Sequence, residues 1–333
     1  MDTIRWTGTR YSRREFVSAL AVSPPLMLRR AVANASEKTF RGMFPIMATP
    51  YTQNKELDYE DLAHEVDFLD RCGVPGMAWP QLFGETFKLS VEERKRGMEV
   101  IVKAAKGRKP AIVLGVDGPN LAVARAYLEH AESLNPDALI ALPPREAKSS
   151  EDILQYYRSL AQLTTRPFFI QNASIIEGGP KLDVKDLVEL SRQFPHCGYY
   201  KEEVSPTIER MLALSKERPS VRRVFGGEAG RNLMYLMRLG LDGCMAGNAY
   251  ADVFVQIWDL FSSGKKAESQ ERYSKLLLLL NCESYLPGTR QYIMKKRGVF
   301  KTMVSRMSEF ALSREATQEI DFHFDALKPY LRA

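Results

Sequence analysis

From residue 42 onward the sequence repeats one unit, in which a short apolar run is followed by a loop and then by a longer amphipathic segment. Glycine, proline or asparagine marks most of the loops. Alternation of this kind predicts βα units and a parallel sheet. We count eight apolar runs, at residues 43–48, 76–79, 111–115, 138–142, 168–172, 197–201, 221–226 and 243–246.

The amphipathic segments predict helices at residues 58–72, 90–106, 120–134, 150–164, 184–194, 206–218, 230–239 and 250–264. Ser90 and Glu93 form a capping-box pattern that predicts one helix start. Eight units of about 28 residues favour an α/β fold of the (β/α)8 TIM-barrel kind over a doubly wound sheet. No Gly-x-Gly-x-x-Gly motif follows the first run, which argues against a dinucleotide-binding fold.

Residues 265–333 continue with three further helical patterns, at 266–283, 288–296 and 315–327. We expect them to form a helical bundle that packs on a barrel built from residues 40–264. The apolar run at 276–280 suits contact with the barrel or with another subunit.

Residues 1–35 carry most of the excess positive charge. They hold six arginines against two acidic side chains, whereas the rest of the chain holds 41 basic and 39 acidic side chains. Arg13 and Arg14 precede an apolar run at 19–28 and small residues at 31–35, an order similar to that of a twin-arginine export signal. The run is shorter than a membrane span and contains two prolines, so we expect no stable membrane anchor. The segment predicts that the protein is exported to the periplasm. If the segment is only a basic leader and not a signal, we expect the protein in the cytoplasm.

The composition disfavours several other classes of function. The nearly balanced charge of residues 36–333, without a basic stripe among aromatics, argues against a nucleic-acid partner. Cysteines and histidines show no metal-ligand spacing, and the acidic residues Glu202, Glu203 and Glu228 have no matching histidine set. We therefore expect no metal, no cofactor and no histidine-based triad. In an exported protein the four cysteines leave three disulfide pairings open.

Lys201 ends the sixth apolar run, and chemistry in barrels of this kind gathers at the C-terminal ends of the strands. Alternation along a strand places Tyr199 on the face of Lys201, and Glu203 as well if the strand extends that far. An inward lysine beside a phenol and a carboxylate suits imine chemistry, in which a neutral amine attacks a carbonyl. The alternative is a rim lysine that keeps its charge in water.

Two glycine-containing loops follow other runs. The loop with Phe83, Gly84 and Glu85 follows the second run. The glycine in this loop lets backbone amides approach a substrate carboxylate closely. The alternative is a plain βα turn without a binding role. Gly227 and Glu228 follow the seventh run, where unrelated barrels bind phosphate. A sugar-phosphate enzyme is therefore a rival hypothesis.

Several motifs together resemble the dihydrodipicolinate synthase / N-acetylneuraminate lyase family. The resemblance covers about residues 40–330 and implies a (β/α)8 barrel with C-terminal helices, assembled as a homodimer or homotetramer. It also implies that Lys201 is the sixth-strand lysine that forms a Schiff base with pyruvate or another 2-oxo acid. The motifs are Met43-Phe44-Pro45, Ala48-Thr49-Pro50, Phe83-Gly84-Glu85, Tyr200-Lys201-Glu202 and Gly226-Gly227-Glu228.

The sequence departs from the family pattern at two places. The paired threonines that follow the second strand in the family are Leu82 and Phe83 here, and the proton-carrying tyrosine after the fourth strand is Pro144. None of these replacements can transfer a proton.

Other residues resemble the 2-keto-3-deoxy-L-arabonate dehydratase group, among them Gln171 after strand five and Glu203 two positions beyond the lysine. That group also lacks the threonine pair but usually keeps the tyrosine. On this interpretation Glu203 is the candidate proton shuttle, and Arg145 can hold a substrate carboxylate through two parallel hydrogen bonds. Either side chain can instead be a solvated loop charge.

These observations predict a Schiff-base-forming lyase, a dehydratase or an aldolase, that acts on pyruvate or a 2-keto-3-deoxy sugar acid. Two alternatives remain: an exported, catalytically degenerate barrel that binds a 2-oxo acid, and a 4-hydroxy-tetrahydrodipicolinate synthase. The predicted catalytic residues are Lys201, Glu203 and Tyr199, and the predicted substrate-binding residues are Phe83, Gly84, Glu85, Arg145, Gln171, Gly227 and Glu228.

Overall fold

Eight parallel strands form a nearly closed barrel in the computed structural model, which describes residues 38–175 and 178–333. The strands are hydrogen-bonded in the order β1-β8-β7-β6-β5-β4-β3-β2. Parallel bridges from Ile46 to Ala78 and to Gly247 bring the two edges together. The predicted (β/α)8 TIM-barrel fold is confirmed. The strands are β1 (Gly42–Met43), β2 (Gly76–Trp79), β3 (Ala111–Gly115), β4 (Ala138–Ala141), β5 (Phe168–Asn172), β6 (Tyr199–Glu202), β7 (Arg223–Gly226) and β8 (Gly243–Cys244).

Within residues 38–175 and 178–333, one α-helix follows each strand and three more follow α8. Helix α9 packs against α8 and α11, so the last helices continue the outer layer of the barrel. The helices are α1 (Tyr59–Cys72), α2 (Val91–Ala104), α3 (Leu121–Leu134), α4 (Ser150–Ala161), α5 (Val184–Gln193), α6 (Thr207–Ser215), α7 (Leu233–Arg238), α8 (Ala251–Ser262), α9 (Lys266–Tyr285), α10 (Thr289–Lys296) and α11 (Arg314–Asp325).

Side-chain caps fix several helix starts. The Asp58 carboxylate accepts hydrogen bonds from the amides of Glu60 and Asp61, both at 3.1 Å, at the start of α1. At the start of α2 the predicted capping box is present, because the Ser90 hydroxyl accepts from the amide of Glu93 and the Glu93 carboxylate accepts from the amide of Ser90. Each cap satisfies amides that have no partner within the helix.

The first strand is shorter than the predicted run at 43–48. Pro45 has no N–H group, so it cannot donate to the ladder, and the strand ends at Met43. The amides of Phe44 and Ile46 still donate to carbonyls of the segment that contains β8, at 3.0 Å and 2.8 Å. The first run therefore keeps its place in the barrel wall.

Apolar side chains fill the interior of the barrel and form its floor. Gly76 leaves room for the ring of Phe44, since a Cβ there would lie 2.1 Å from that ring. A larger apolar cluster lies between the strands and the helices. The floor is built from Phe40, Phe44, Ile46, Ala78, Ala111, Val113, Ala138, Ile140, Phe169, Tyr199, Phe225 and Met245.

The predicted export signal at 1–35 lies outside the described residues. Within the part of the chain that the structure describes, no helix has the length and apolar character needed to cross a bilayer. All four cysteines are buried and free, so none of the three possible disulfide pairings is present.

Candidate active site

Lys201 lies inside the barrel at the C-terminal end of β6. Its side chain is only 4% exposed, and its Nζ lies 3.2 Å from Oε2 of Glu203. The same carboxylate oxygen accepts a hydrogen bond of 2.5 Å from Nε2 of Gln171. The strand register pairs Gln171 on β5 with Lys201 on β6, so the two side chains stand at the same height in the barrel. These three residues form one hydrogen-bonded group, which we call the lysine group.

Gly227 forms the wall beside this group. A Cβ at Gly227 would lie 2.0 Å from Oε1 of Glu203 and 3.1 Å from Cε of Lys201. The absence of a side chain therefore leaves the space that the ion pair occupies. The thiol of Cys244 donates to the carbonyl of Gly227 at 3.5 Å. Burial raises the pKa of Cys244 to about 12, so this nearby thiol is neutral near pH 7 and is a poor competing nucleophile.

Gln171 is held firmly and carries an unused acceptor. Its side chain is fully buried, and its backbone carbonyl accepts a hydrogen bond of 3.1 Å from the hydroxyl of Tyr157. Its side-chain carbonyl oxygen has no donor among the described residues. Leaving a buried acceptor unsatisfied costs about 1–3 kcal/mol. A bound ligand with a hydroxyl group can supply the missing donor.

Glu202 lies on the outer face of β6 and anchors the end of the strand. Its carboxylate accepts hydrogen bonds from Nδ2 of Asn172 at 3.0 Å, the amide of Val204 at 2.8 Å and Nη2 of Arg210 at 3.3 Å. Burial raises the pKa of Glu202, and these donors partly offset that effect. The adjacent carboxylates therefore differ in role, since Glu203 faces the lysine while Glu202 supports the strand from outside.

Tyr199 shares the interior face with Lys201 but lies one layer deeper in the barrel. Two residues along a strand span about 7 Å. The Tyr199 ring packs against Phe40 and Phe169, with centroid separations of 5.5 Å and 5.1 Å. The ring thus belongs to the aromatic floor beneath the lysine group, and its catalytic role stays a prediction.

The loop after β2 folds into a short 3-10 turn, Leu82–Gly84. The amides of Gly84 and Glu85 donate to the carbonyls of Gln81 and Leu82, at 2.8 Å and 3.1 Å. Both amides therefore have an acceptor within the turn in this conformation, and the role of the loop in binding a substrate carboxylate stays a prediction. The amides of Leu82 and Phe83 come before the first hydrogen bond of the turn and have no acceptor within it.

Glu85 connects this loop to the C-terminal part of the chain. Its two carboxylate oxygens accept hydrogen bonds from the hydroxyl of Ser305 at 2.6 Å and from the amide of Arg306 at 3.0 Å. Arg306 also forms two hydrogen bonds with Glu93 at the start of α2, at 2.6 Å and 2.8 Å. Glu85 thus holds the segment that precedes α11 over the barrel, and its predicted contact with substrate is untested.

Phe83 borders a cavity of about 460 Å³ between this loop and the C-terminal helices. Phe83 is 48% exposed, and the centroid of its ring lies 4.4 Å from the guanidinium carbon of Arg290. Arg290 is paired with Glu283 at 2.6 Å, and a Cβ at Gly247 would lie 3.0 Å from Arg290. Sequence reasoning missed Arg290, because it comes from the appended helices rather than from the end of a strand.

The predicted ligands Arg145 and Glu228 lie at exposed positions on the loops that follow β4 and β7. The Arg145 guanidinium stacks over the ring of Phe87 at 4.8 Å, and the Glu228 carboxylate accepts from Nδ2 of Asn232 at 3.0 Å. Their roles in substrate binding stay predictions.

The fold and the site define a (β/α)8-barrel enzyme with a buried lysine at the end of its sixth strand. Residues 39–325 match the model of the dihydrodipicolinate synthetase family. The chain belongs to this family and is a lyase. The family resemblance inferred from the motifs is thereby confirmed.

Individual relatives carry two different activity names. The chain is 24% identical over 275 residues to an L-2-keto-3-deoxyarabonate dehydratase of Azospirillum brasilense, covering 80% of this chain and 88% of that protein. It is 29% identical over 231 residues to a 4-hydroxy-tetrahydrodipicolinate synthase of Parabacteroides distasonis, covering 67% and 75%. Among solved structures, the dihydrodipicolinate synthase of Rhodopseudomonas palustris superposes with a TM-score of 0.77 at 23% identity, covering 86% and 97%. That similarity shows the shared fold.

Proposed function

We propose that this lyase forms a Schiff base between Lys201 and a 2-keto-3-deoxy sugar acid and then removes water from the bound acid. The observation that carries the proposal is the lysine group, in which a buried amine lies 3.2 Å from a carboxylate that Gln171 also holds. A buried lysine with an adjacent proton acceptor is the arrangement that imine formation requires.

The chemistry follows from these positions. The Lys201 ammonium gives a proton to Glu203, and the neutral Nζ attacks the C2 carbonyl of the substrate. Glu203 returns that proton to the C2 hydroxyl, which leaves as water and gives the imine. The imine withdraws electrons from C3, and a C3 proton then passes to the Glu203 carboxylate. The C4 hydroxyl then leaves as water with that proton, and a second water releases the product from Lys201. One water leaves the substrate, and the water lost in forming the imine is regained on release.

The replacements around the site argue against the proton relay of dipicolinate synthesis, although Pro144 departs from the dehydratase pattern as well. Leu82, Phe83 and Pro144 stand where the family pattern has hydroxyl groups, and none of them carries a proton. Glu203 is within hydrogen-bonding distance of Lys201 and can perform both proton transfers without those hydroxyls. The name of the Azospirillum relative agrees with this assignment.

Two side chains suit recognition of such an acid. The unsatisfied carbonyl of Gln171 can accept a hydrogen bond from a substrate hydroxyl. Arg145, on the loop after β4, can pair with the substrate carboxylate through two parallel hydrogen bonds. We also propose that the enzyme is exported and that it assembles as a homodimer or homotetramer.

A substrate panel tests the proposal. The enzyme is incubated with L-2-keto-3-deoxyarabonate, or with pyruvate plus aspartate 4-semialdehyde, and the products are identified by mass spectrometry. The proposal predicts a product that is lighter than L-2-keto-3-deoxyarabonate by the mass of one water. It also predicts no condensation of pyruvate with aspartate 4-semialdehyde. The Lys201→Arg variant is the matched control and should be inactive.

Other results point to other functions. Release of pyruvate from the sugar acid would identify an aldolase, and condensation with the semialdehyde would identify a dipicolinate synthase. A covalent pyruvate adduct on Lys201 without turnover of any substrate would favour a 2-oxo-acid-binding barrel. In the Glu203→Gln variant, adduct formation should persist while turnover falls; unchanged turnover would refute the proton role of Glu203.

A further inference from the structure

Two C-terminal helices bring a thiol, an imidazole and a carboxylate together. Cys282 lies on α9, whereas Glu319 and His323 lie on α11. One ligand atom from each residue lies within 4.8 Å of the other two. Nε2 of His323 is 3.0 Å from Oε1 of Glu319. None of the three residues belongs to the lysine group.

We propose that Cys282, Glu319 and His323 bind one zinc ion. Zinc takes thiolate, imidazole and carboxylate ligands at about 2.0–2.3 Å in a tetrahedral arrangement, which places the ligand atoms roughly 3.3–3.8 Å apart. The widest separation, at most 4.8 Å, needs to close by about 1–1.5 Å, and the 3.0 Å pair of His323 and Glu319 needs to open slightly; rotation about side-chain bonds can supply both changes. Thiolate and imidazole together select zinc over magnesium or calcium, because the latter ions prefer oxygen ligands.

The positions of the three side chains suit capture of an ion from solvent. Glu319 and His323 are four residues apart, so they lie on one face of α11. Burial increases from Glu319 to Cys282, since the side chain of Glu319 is 48% exposed, that of His323 is 14% exposed, and Cys282 is fully buried. An ion can therefore enter beside Glu319, with water completing the tetrahedron. On binding, the Cys282 thiol releases its proton to solvent and the sulfur bonds to zinc.

The proposed ion would fasten α11 to α9. Helix α9 also carries Glu283, which pairs with Arg290 beside the cavity next to Phe83. The sequence shows no metal motif here because the ligands are separated by almost forty residues and converge only when the two helices pack. The competing explanation is a helical His–Glu ion pair that happens to lie near a buried cysteine.

Cobalt titration distinguishes the two explanations. The full chain is treated with a chelator, the chelator is removed, and Co²⁺ is added as a spectroscopic probe of the zinc site. The proposal predicts a near-ultraviolet thiolate-to-cobalt charge-transfer band that saturates at one equivalent and disappears when Zn²⁺ is added. The Cys282→Ser variant should lack the band, whereas Cys197→Ser, which changes another buried free cysteine, should keep it.

Two variants on α11 guard against misfolding of the cysteine variant. His323→Gln and Glu319→Gln change partly exposed side chains, and each should weaken Zn²⁺ binding by about tenfold or more. At the same Zn²⁺ concentration, Zn²⁺ should also raise the thermal unfolding midpoint of the unaltered chain by more than that of His323→Gln. The proposal is overturned if the unaltered chain lacks the charge-transfer band or if Cys282→Ser keeps it. It is also overturned if Zn²⁺ shifts the thermal unfolding midpoint of His323→Gln as much as that of the unaltered chain.

Discussion

Replacement of Gly227 by alanine tests whether the Glu203 carboxylate performs the proton transfers. The added Cβ would lie 2.0 Å from Oε1 and 2.8 Å from Cδ of Glu203, whereas ordinary contacts begin at 3.4 Å. The carboxylate must therefore move by roughly 1 Å or more to restore normal packing. Such a movement takes Oε2 out of hydrogen-bond range of the Lys201 Nζ, which now lies at 3.2 Å.

The expected loss follows from the size of general acid–base catalysis. A positioned acid or base contributes about 10²- to 10⁴-fold, so Gly227→Ala should lower kcat by a factor in that range, or about 3–5 kcal/mol in the barrier. Lys201 itself is disturbed less, because its Cε would lie 3.1 Å from the new Cβ and needs to move by only a few tenths of an ångström. Imine formation should therefore survive while turnover falls.

Single-turnover kinetics and borohydride trapping measure the two steps separately. The comparison includes Gly227→Ala, Glu203→Gln and the double variant. If both changes act on the same group, the double variant should be no slower than Glu203→Gln alone. An equal fold-loss from Gly227→Ala in the presence and absence of Glu203 would refute this reasoning.

Three further sets of substitutions test the buried Glu65 carboxyl, the buried ion pair of Asp252 and the export of the protein. Burial raises the pKa of Glu65 to about 8, so the native state keeps a proton that the unfolded chain loses, and stability falls as pH rises from about 4.5 to 8. Urea unfolding at pH 5 and pH 8 measures this loss of stability, which should be on the order of 4 kcal/mol in the unaltered chain and absent from Glu65→Gln. An equal loss in the two proteins would contradict the prediction. Asp252→Ala removes a carboxylate that is paired at 2.6 Å with the buried Arg297, and it should lower the free energy of unfolding by about 3–5 kcal/mol. The control Asp259→Ala, on the exposed side of the same helix, should change that free energy by less than about 0.5 kcal/mol. Similar losses in the two variants would argue against a stabilising role for the buried pair. Arg13→Lys combined with Arg14→Lys should abolish appearance outside the cytoplasm, and unchanged export would rule out the twin-arginine interpretation.

The fold could be predicted because a parallel sheet that is covered on both sides produces continuous apolar runs. The runs at 76–79, 111–115 and 168–172 coincide with β2, β3 and β5. The first apolar run is longer than β1 because its apolar character continues past Pro45, whereas the strand ends before this residue, which has no N–H to donate to the ladder. The sixth strand begins at Tyr199 rather than at 197, since Pro195–Cys197 forms a 3-10 turn.

The candidate site could be predicted only where its residues lie on one strand or on neighbouring strands. Alternation along β6 predicts that Lys201 and Glu203 share a face only if the strand extends to Glu203. The strand ends at Glu202, and Oε2 of Glu203 still lies 3.2 Å from Nζ of Lys201. The contact between Glu85 and Ser305 joins residues 220 positions apart in the chain. It depends on how the C-terminal segment folds back over the barrel, which no local pattern encodes. The same reason explains why Arg290 was missed.

The central claim is that Lys201 is the nucleophile, and reductive trapping tests it most directly. The enzyme is incubated with pyruvate or a 2-keto-3-deoxy sugar acid in the presence of borohydride, digested, and analysed by peptide mass spectrometry. We predict one reduced adduct, located on Lys201 and absent from Lys201→Arg. An adduct on another lysine, or no adduct with any of a panel of 2-oxo acids, would contradict the claim.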